Sequence, residues 1–159
     1  MKYIRLTKEQ FEALHEEFAR FLATQSITAD EWTKLKEEQP ELAEAELDLF
    51  SDLVWEGVIQ KAEYLEKIDS NQLFLFRIEE SDMKLIALKV KDTSKDITQT
   101  EDFQWLLKNY MSDEVEVFQS SKPFSEDKHA EIFELLKMGS AISKGEWYTF
   151  FDGVISSEE

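Results

Sequence analysis

One long stretch, Pro40 to Lys67 (PELAEAELDLFSDLVWEGVIQKAEYLEK), sets most of the terms on which this chain can fold. Its apolar positions Ala43, Leu47, Phe50, Val54, Val58 and Leu65 recur at steps of three, four or seven, so they fall on one stripe of a single amphipathic helix. Pro40 suits the first turn, where its missing N–H would have had no partner. Glu41 and Glu44 follow at the positive end of the helix dipole. Leu49, Leu53 and Ile59 broaden the stripe, which predicts cover on more than one side. Gly57 lies in the interior, where glycine costs about 1 kcal/mol relative to alanine. Its presence predicts another backbone or a large ring packed against it.

Glu44, Asp48, Asp52 and Glu56 form an i, i+4 row on the same helix, and like charges at that spacing repel mildly. The plainer account is a solvated face that keeps the protein in solution. The sharper one is a docking face for a basic partner.

The net charge of −17 is spread along both halves of the chain. Phosphates and anionic membranes are met by basic residues, so direct nucleic-acid or membrane binding is not expected. A basic protein partner is, and a homodimer is compatible with the sequence. Cysteine is absent, which removes disulfides, thiolate metal sites and a cysteine nucleophile. No secretory h-region and no run of about 18 apolar residues occurs. The expectation is a cytoplasmic protein, and its 42% hydrophobic content is enough for a packed core.

Before the long helix, Met1 to Leu6 reads as a short apolar–basic lead. Thr7 with Gln10 makes a capping box for a helix through about Thr24, with Phe11, Leu14, Phe18, Phe21 and Leu22 on one face. Thr28 with Glu31 opens a second helix to about Glu38 that carries Trp32 and Leu35. After Asp69-Ser70-Asn71 the character changes. Leu73–Ile78 (LFLFRI) and Leu85–Val90 (LIALKV), separated by a polar turn at Glu79–Asp82, read as a β-hairpin with apolar residues on both faces. Thr100 then caps a helix, Val115, Val117 and Phe118 mark a third strand, and Pro123 breaks the chain. Ser125 opens the next helix, with Gly139 as its C-cap. Ser143 with Glu146 caps the last one.

The expected fold is α+β: an N-terminal three-helix cluster, then a small three-stranded sheet with packing helices, in the order ααα-ββ-α-β-αα. It reads as a single domain over 1–159, with a helical half 1–70 and a mixed half 71–159.

Parts for catalysis are few. Four glycines form no phosphate-cradling pattern, and no nucleophile-elbow spacing occurs. Glu12-x-x-His15 and Glu126-x-x-His129 each put two ligands on one helix face. With two further carboxylates, such as Glu56 and Glu63, they would make a di-iron site. Glutamate is so frequent here that packing histidines are the better account, and neither a cofactor nor a metal is expected. The aromatic run Trp147, Tyr148, Phe150 and Phe151 is the densest in the chain. It is either core or the first candidate for a binding surface.

In the motifs TKEQF, HEEF and FLATQSITADEW, in ELDLFSDLVWEGV and in SKGEWYTFFD, the chain resembles a family of small acidic bacterial proteins of unknown function, mainly from the Bacteroidetes. The resemblance spans nearly the whole chain. It implies a free-standing cytosolic protein and supplies no catalytic residues. The expectation is therefore a non-enzymatic interaction module. It would use either the acidic row (Glu44, Asp48, Asp52, Glu56) or the C-terminal aromatics (Trp147, Tyr148, Phe151). One alternative is a small-ligand binder or enzyme with an acid-edged pocket of Trp55, Trp147 and Tyr148. Another is a DNA mimic that binds a basic protein.

Overall fold

The computed structural model describes residues 1–157, which form two compact units, Met1–Gln60 and Lys61 onward. The first unit is the lead followed by α1 (Lys8–Ala13), α2 (His15–Thr24), α3 (Ala29–Glu38) and α4 (Pro40–Lys61). Thr7 and Gln10 form the expected capping box, and Thr28 accepts from the Glu31 amide at 3.2 Å. The helix expected from Thr7 to Thr24 is broken at Leu14 (φ −107°, ψ 24°). There the His15 Nδ1–H donates to the Glu12 carbonyl at 3.0 Å, a side-chain insertion of the kind that bends helices.

Aromatic rings hold the four helices together. Phe18 lies 5.1 Å from Phe50, 5.2 Å from Trp32 and 5.6 Å from Phe11, centroid to centroid. Phe21 lies 5.4 Å from Phe50, which is buried. On α4 the buried stripe is narrower than its sequence predicts. Ala43, Phe50 and Ile59 are buried, but Leu49, Leu53 and Val58 are exposed.

Gly57 also departs from expectation, because a Cβ built there meets nothing within 4 Å. Gly153, inside the last helix, is equally open. Neither has a positive φ, so both simply weaken their helices. Gly57→Ala and Gly153→Ala should each stabilise the protein by about 0.5–1 kcal/mol. Chemical denaturation would show this as a higher midpoint at unchanged slope.

The second unit holds β1 (Tyr64–Ile68), β2 (Gln72–Ile78), β3 (Asp82–Val90), α5 (Thr100–Asn109), β4 (Val115–Pro123), α6 (Lys128–Lys137), β5 (Ala141–Ser143) and α7 (Glu146–Ser157). The strands make one antiparallel sheet in the order β4-β3-β2-β1-β5. The expected hairpin is β2–β3, and the third expected strand joins it on the β3 side.

Two strands go beyond the expected three. Tyr64–Ile68 continues the α4 pattern in sequence, yet it pairs with β2 on one side and β5 on the other. Two sets of ladder bonds outweigh its helix-compatible composition. Ser143 is not a helix cap. It lies in β5 opposite Tyr64, and its hydroxyl accepts from the Gly145 amide at 3.1 Å. Likewise α5 starts at Thr100, after Gln99, and α6 is capped by Asp127 instead of Ser125. Gly139 follows α6 with φ +106°, as its C-cap reading requires.

Leu73, Leu75, Ile86, Leu88, Val90 and Val115 project from one sheet face into a core closed by Leu106 of α5 and Tyr148 and Phe151 of α7. On the opposite face Leu65 and Phe76, paired across β1 and β2, are buried too. The sheet is thus covered on both sides over part of its length.

Candidate functional site

The acidic row of α4 is already engaged, and its partner is the chain's own lead. Asp52 accepts the Lys2 and Tyr3 amides at 2.8 and 2.9 Å, one on each carboxylate oxygen. The Arg5 Nε lies 2.6 Å from Asp48, and Glu44 adds to the field that keeps Arg5 cationic. Glu56 accepts from the Tyr3 hydroxyl and lies 3.4 Å from the Lys2 ammonium. Burial, and next the bond to Glu56, hold the Tyr3 phenol above its ordinary range. Further along, the Leu6 amide donates to Ser51 Oγ at 3.0 Å, Ser51 donates to the Leu47 carbonyl at 2.7 Å, and the Trp55 indole donates to the Ile4 carbonyl at 3.1 Å. The repulsion within the row is thereby answered by the basic lead and its backbone amides.

Asp52→Ala removes the acceptor of two backbone amides. It should cost about 1–3 kcal/mol and abolish hydrogen-exchange protection at Lys2 and Tyr3. Unchanged protection there would show that the lead is held by its apolar residues alone.

The C-terminal aromatic group divides. Tyr148 and Phe151 are core residues, so both leave the list of surface candidates. They point toward β2 and β3, and burial keeps the Tyr148 hydroxyl above its ordinary pKa, with Asp152 adding to the shift. Trp147 is half-buried, edge-on to Phe103 at 5.0 Å. Phe150 remains 39% exposed.

Trp147 and Tyr148 line different cavities. Tyr148 borders one of about 390 Å³ with Lys84, Ile86, Gln119 and Asp152. Trp147 borders two, of about 200 Å³ and 380 Å³, which share Ile68 and Phe103. The smaller one includes Glu66, a residue that sequence reasoning had placed in the helix. Burial first, and then the charge of Glu146, raise its carboxyl pKa.

Among the described residues, no group of three or more His, Asp or Glu side chains is placed to hold a metal. His15 sits at the break between α1 and α2, bonded to the backbone of Glu12, and Glu12 is itself exposed. His129 is half-buried in the first turn of α6, and Glu126 lies outside that helix.

A feature not foreseen is the length and openness of β4. It runs for nine residues at the edge of the sheet, and all but Val115 are exposed. Val117 is 39% and Phe118 52% exposed. The Lys91 amide donates to the Glu114 carbonyl, and the Phe124 amide to the Ser81 carbonyl, both within the β3–β4 register. Antiparallel ladders alternate, so Glu116, Phe118, Ser120 and Lys122 bond toward β3. Val117, Gln119 and Ser121 turn their N–H and C=O groups to the open side. Pro123 falls on that side as well, where its missing N–H breaks no bond. Beside this edge Met111, Val117, Val154 and Ile155 line a cavity of about 420 Å³.

No helix among the described residues is long and apolar enough to cross a membrane. In comparison with known proteins, a family model described as "Family of unknown function (DUF6495)" matches residues 1–156. No curated protein and no solved structure matches the chain.

Proposed function

We propose, on the premise that the chain belongs to the DUF6495 family and takes no activity from it, that this is a non-enzymatic interaction module that docks a second copy of itself through the open edge of β4. The observation that carries the reading is the unpaired face of β4, a long exposed strand whose outward amides and carbonyls have no strand beside them among the described residues. Such an edge is a template for strand addition. Natural sheets protect edges with charge or proline. Here Glu116, Lys122 and Pro123 guard only the ends and leave Val117 to Ser121 bare.

The strand is self-complementary. An antiparallel pair centred on Gln119 sets Val117 opposite Ser121 of the second copy, with both outward-facing. It sets Glu116 opposite Lys122 on each side of the two-fold axis, in the closer, non-hydrogen-bonded class of pair. It also makes the two Phe118 rings diagonal neighbours. A two-fold interface of this kind repeats every contact.

The acidic α4 row is a weaker docking face, since Lys2 and Arg5 occupy it in the same chain. This reading takes the protein to act in the cytoplasm as one of a group of small acidic Bacteroidetes proteins, supported by its cysteine-free composition and the motifs quoted above.

The test is sedimentation of the intact protein over a range of concentrations. A dimer is expected, and Gln119→Pro, which removes an outward N–H without touching the β3 ladder, should return it to a folded monomer whose melting temperature no longer depends on protein concentration. Glu116→Lys should weaken the dimer, and Glu116→Lys with Lys122→Glu should restore it. A wild-type chain that stays monomeric at the highest soluble concentration would overturn the reading.

A further inference from the structure

The geometry points to a second site, a pocket for a small organic cation of the ammonium or guanidinium class, formed by Glu66, Trp147 and Phe103. It is independent of the β4 edge. Glu66 lies in β1 opposite Leu75 and Ala141, so its side chain leaves the sheet on the face covered by α5 and α7. It lines a cavity of about 200 Å³ together with Leu73, Phe103, Ala141 and Trp147. That cavity meets the one of about 380 Å³ at Ile68, Phe103 and Trp147.

What selects a cation is the combination at this place. Glu66 is half-buried, yet it has no hydrogen-bond or ion-pair partner among the described residues, although its neighbour Lys67 pairs with Asp69. Partial burial of a carboxylate without a partner carries a cost, and a bound cation would relieve it. The edge-on Phe103–Trp147 pair, 5.0 Å between centroids, supplies ring faces that attract cations. The one further charge shown acting on Glu66 is Glu146 at the start of α7, which is also negative. Phe103 of α5, Leu73 of β2 and Ala141 of β5 add none. A net charge of −17 raises the local concentration of cations around the whole molecule.

Two properties of Glu66 follow. Its pKa is raised above the ordinary 4.5 in the folded chain. Folding therefore takes up protons as pH falls through the window above 4.5, and the empty site is a liability at neutral pH that disappears in acid. Glu66→Gln should accordingly raise the melting temperature at pH 7 and lose that advantage near pH 4. Cation binding needs the carboxylate, so affinity should be flat at neutral pH and fall as Glu66 protonates, at a pH above that of an ordinary glutamate.

The experiment is titration of the intact protein with agmatine, which carries both an ammonium and a guanidinium group, read by calorimetry and by the NMR shift of the Trp147 indole. Butyramide, a smaller neutral amide, is the uncharged control. The expected result is binding of agmatine alone, weakened tenfold or more by Glu66→Gln and by Trp147→Leu. Trp147→Phe, which keeps a ring, should stay within about threefold of wild type. No binding of agmatine, equal binding by Glu66→Gln, or equal binding of butyramide would each overturn the site. None of these outcomes bears on dimer formation through β4.

Discussion

Gly145→Ala is expected to cost about 2–4 kcal/mol and to unfold the second unit at temperatures where the wild-type chain is intact. Two costs add. Gly145 has φ +81°, a region where a side chain is strained by about 1 kcal/mol. A Cβ built there would also lie 2.5 Å from Tyr64 Cγ and Cδ2. Cγ is the root of the ring, so rotation about the Cβ–Cγ bond does not clear it. Tyr64 belongs to β1, which is bonded on both sides, and its ring packs on Tyr148 at 5.7 Å. Overpacking of this sort costs about 1–3 kcal/mol. Thermal melts of Gly145→Ala, Tyr64→Ala and the double variant would separate the terms. Truncating Tyr64 should recover the steric part and leave the backbone part. A Gly145→Ala protein that melts like wild type would contradict the crowding at this turn.

Phe50→Ala is expected to cost about 3–5 kcal/mol, the usual range for removing a buried phenylalanine. Phe50 is 4% exposed and touches the rings of Phe11, Phe18 and Phe21. Those rings come from α1 and α2, so the cavity would lie where these helices meet α4. Leu53, three residues on, is 59% exposed, and Leu53→Ala should change stability by no more than about 0.5 kcal/mol. Urea titrations of the two variants make the comparison. Equal losses would mean that the ring cluster does not hold the first unit together.

The helical first unit was legible because its signals are local. Pro40, the Thr7–Gln10 box and the Thr28 cap lie within one turn of the ends they mark. The alternation of Leu73–Ile78 was equally local and gave a strand apolar on both faces; which face carries the main core, that of Leu73 and Leu75, came only from the structure. What escaped was set by distant residues. Tyr64–Ile68 has helix-compatible composition and becomes a strand because β2 and β5 flank it. Its period of two, with Tyr64, Glu66 and Ile68 on one face, was the available clue to Glu66. The aromatic run was read as one group, whereas the helical period sends Tyr148 and Phe151 inward and leaves Phe150 outward. The α4 carboxylates suggested a basic partner, whereas the cations beside them in the structure are Lys2 and Arg5 of the same chain. The polar half of β4, Gln119 to Lys122, gives almost no strand signal alone, because an edge strand need not be apolar on either face.

The lead has a consequence for the order in which the protein assembles. Its bonds to the α4 carboxylates span 43 to 54 residues of sequence, so within the first unit the lead is seated only once α4 is present. Contacts of that range close slowly, since the intervening loop must be ordered before they form. During synthesis Tyr3 and Leu6, buried in the folded chain, wait uncovered until α4 has left the ribosome. Lys2 and Arg5, interleaved with them, keep that waiting segment charged, and they become ion pairs only when α1 to α4 are complete.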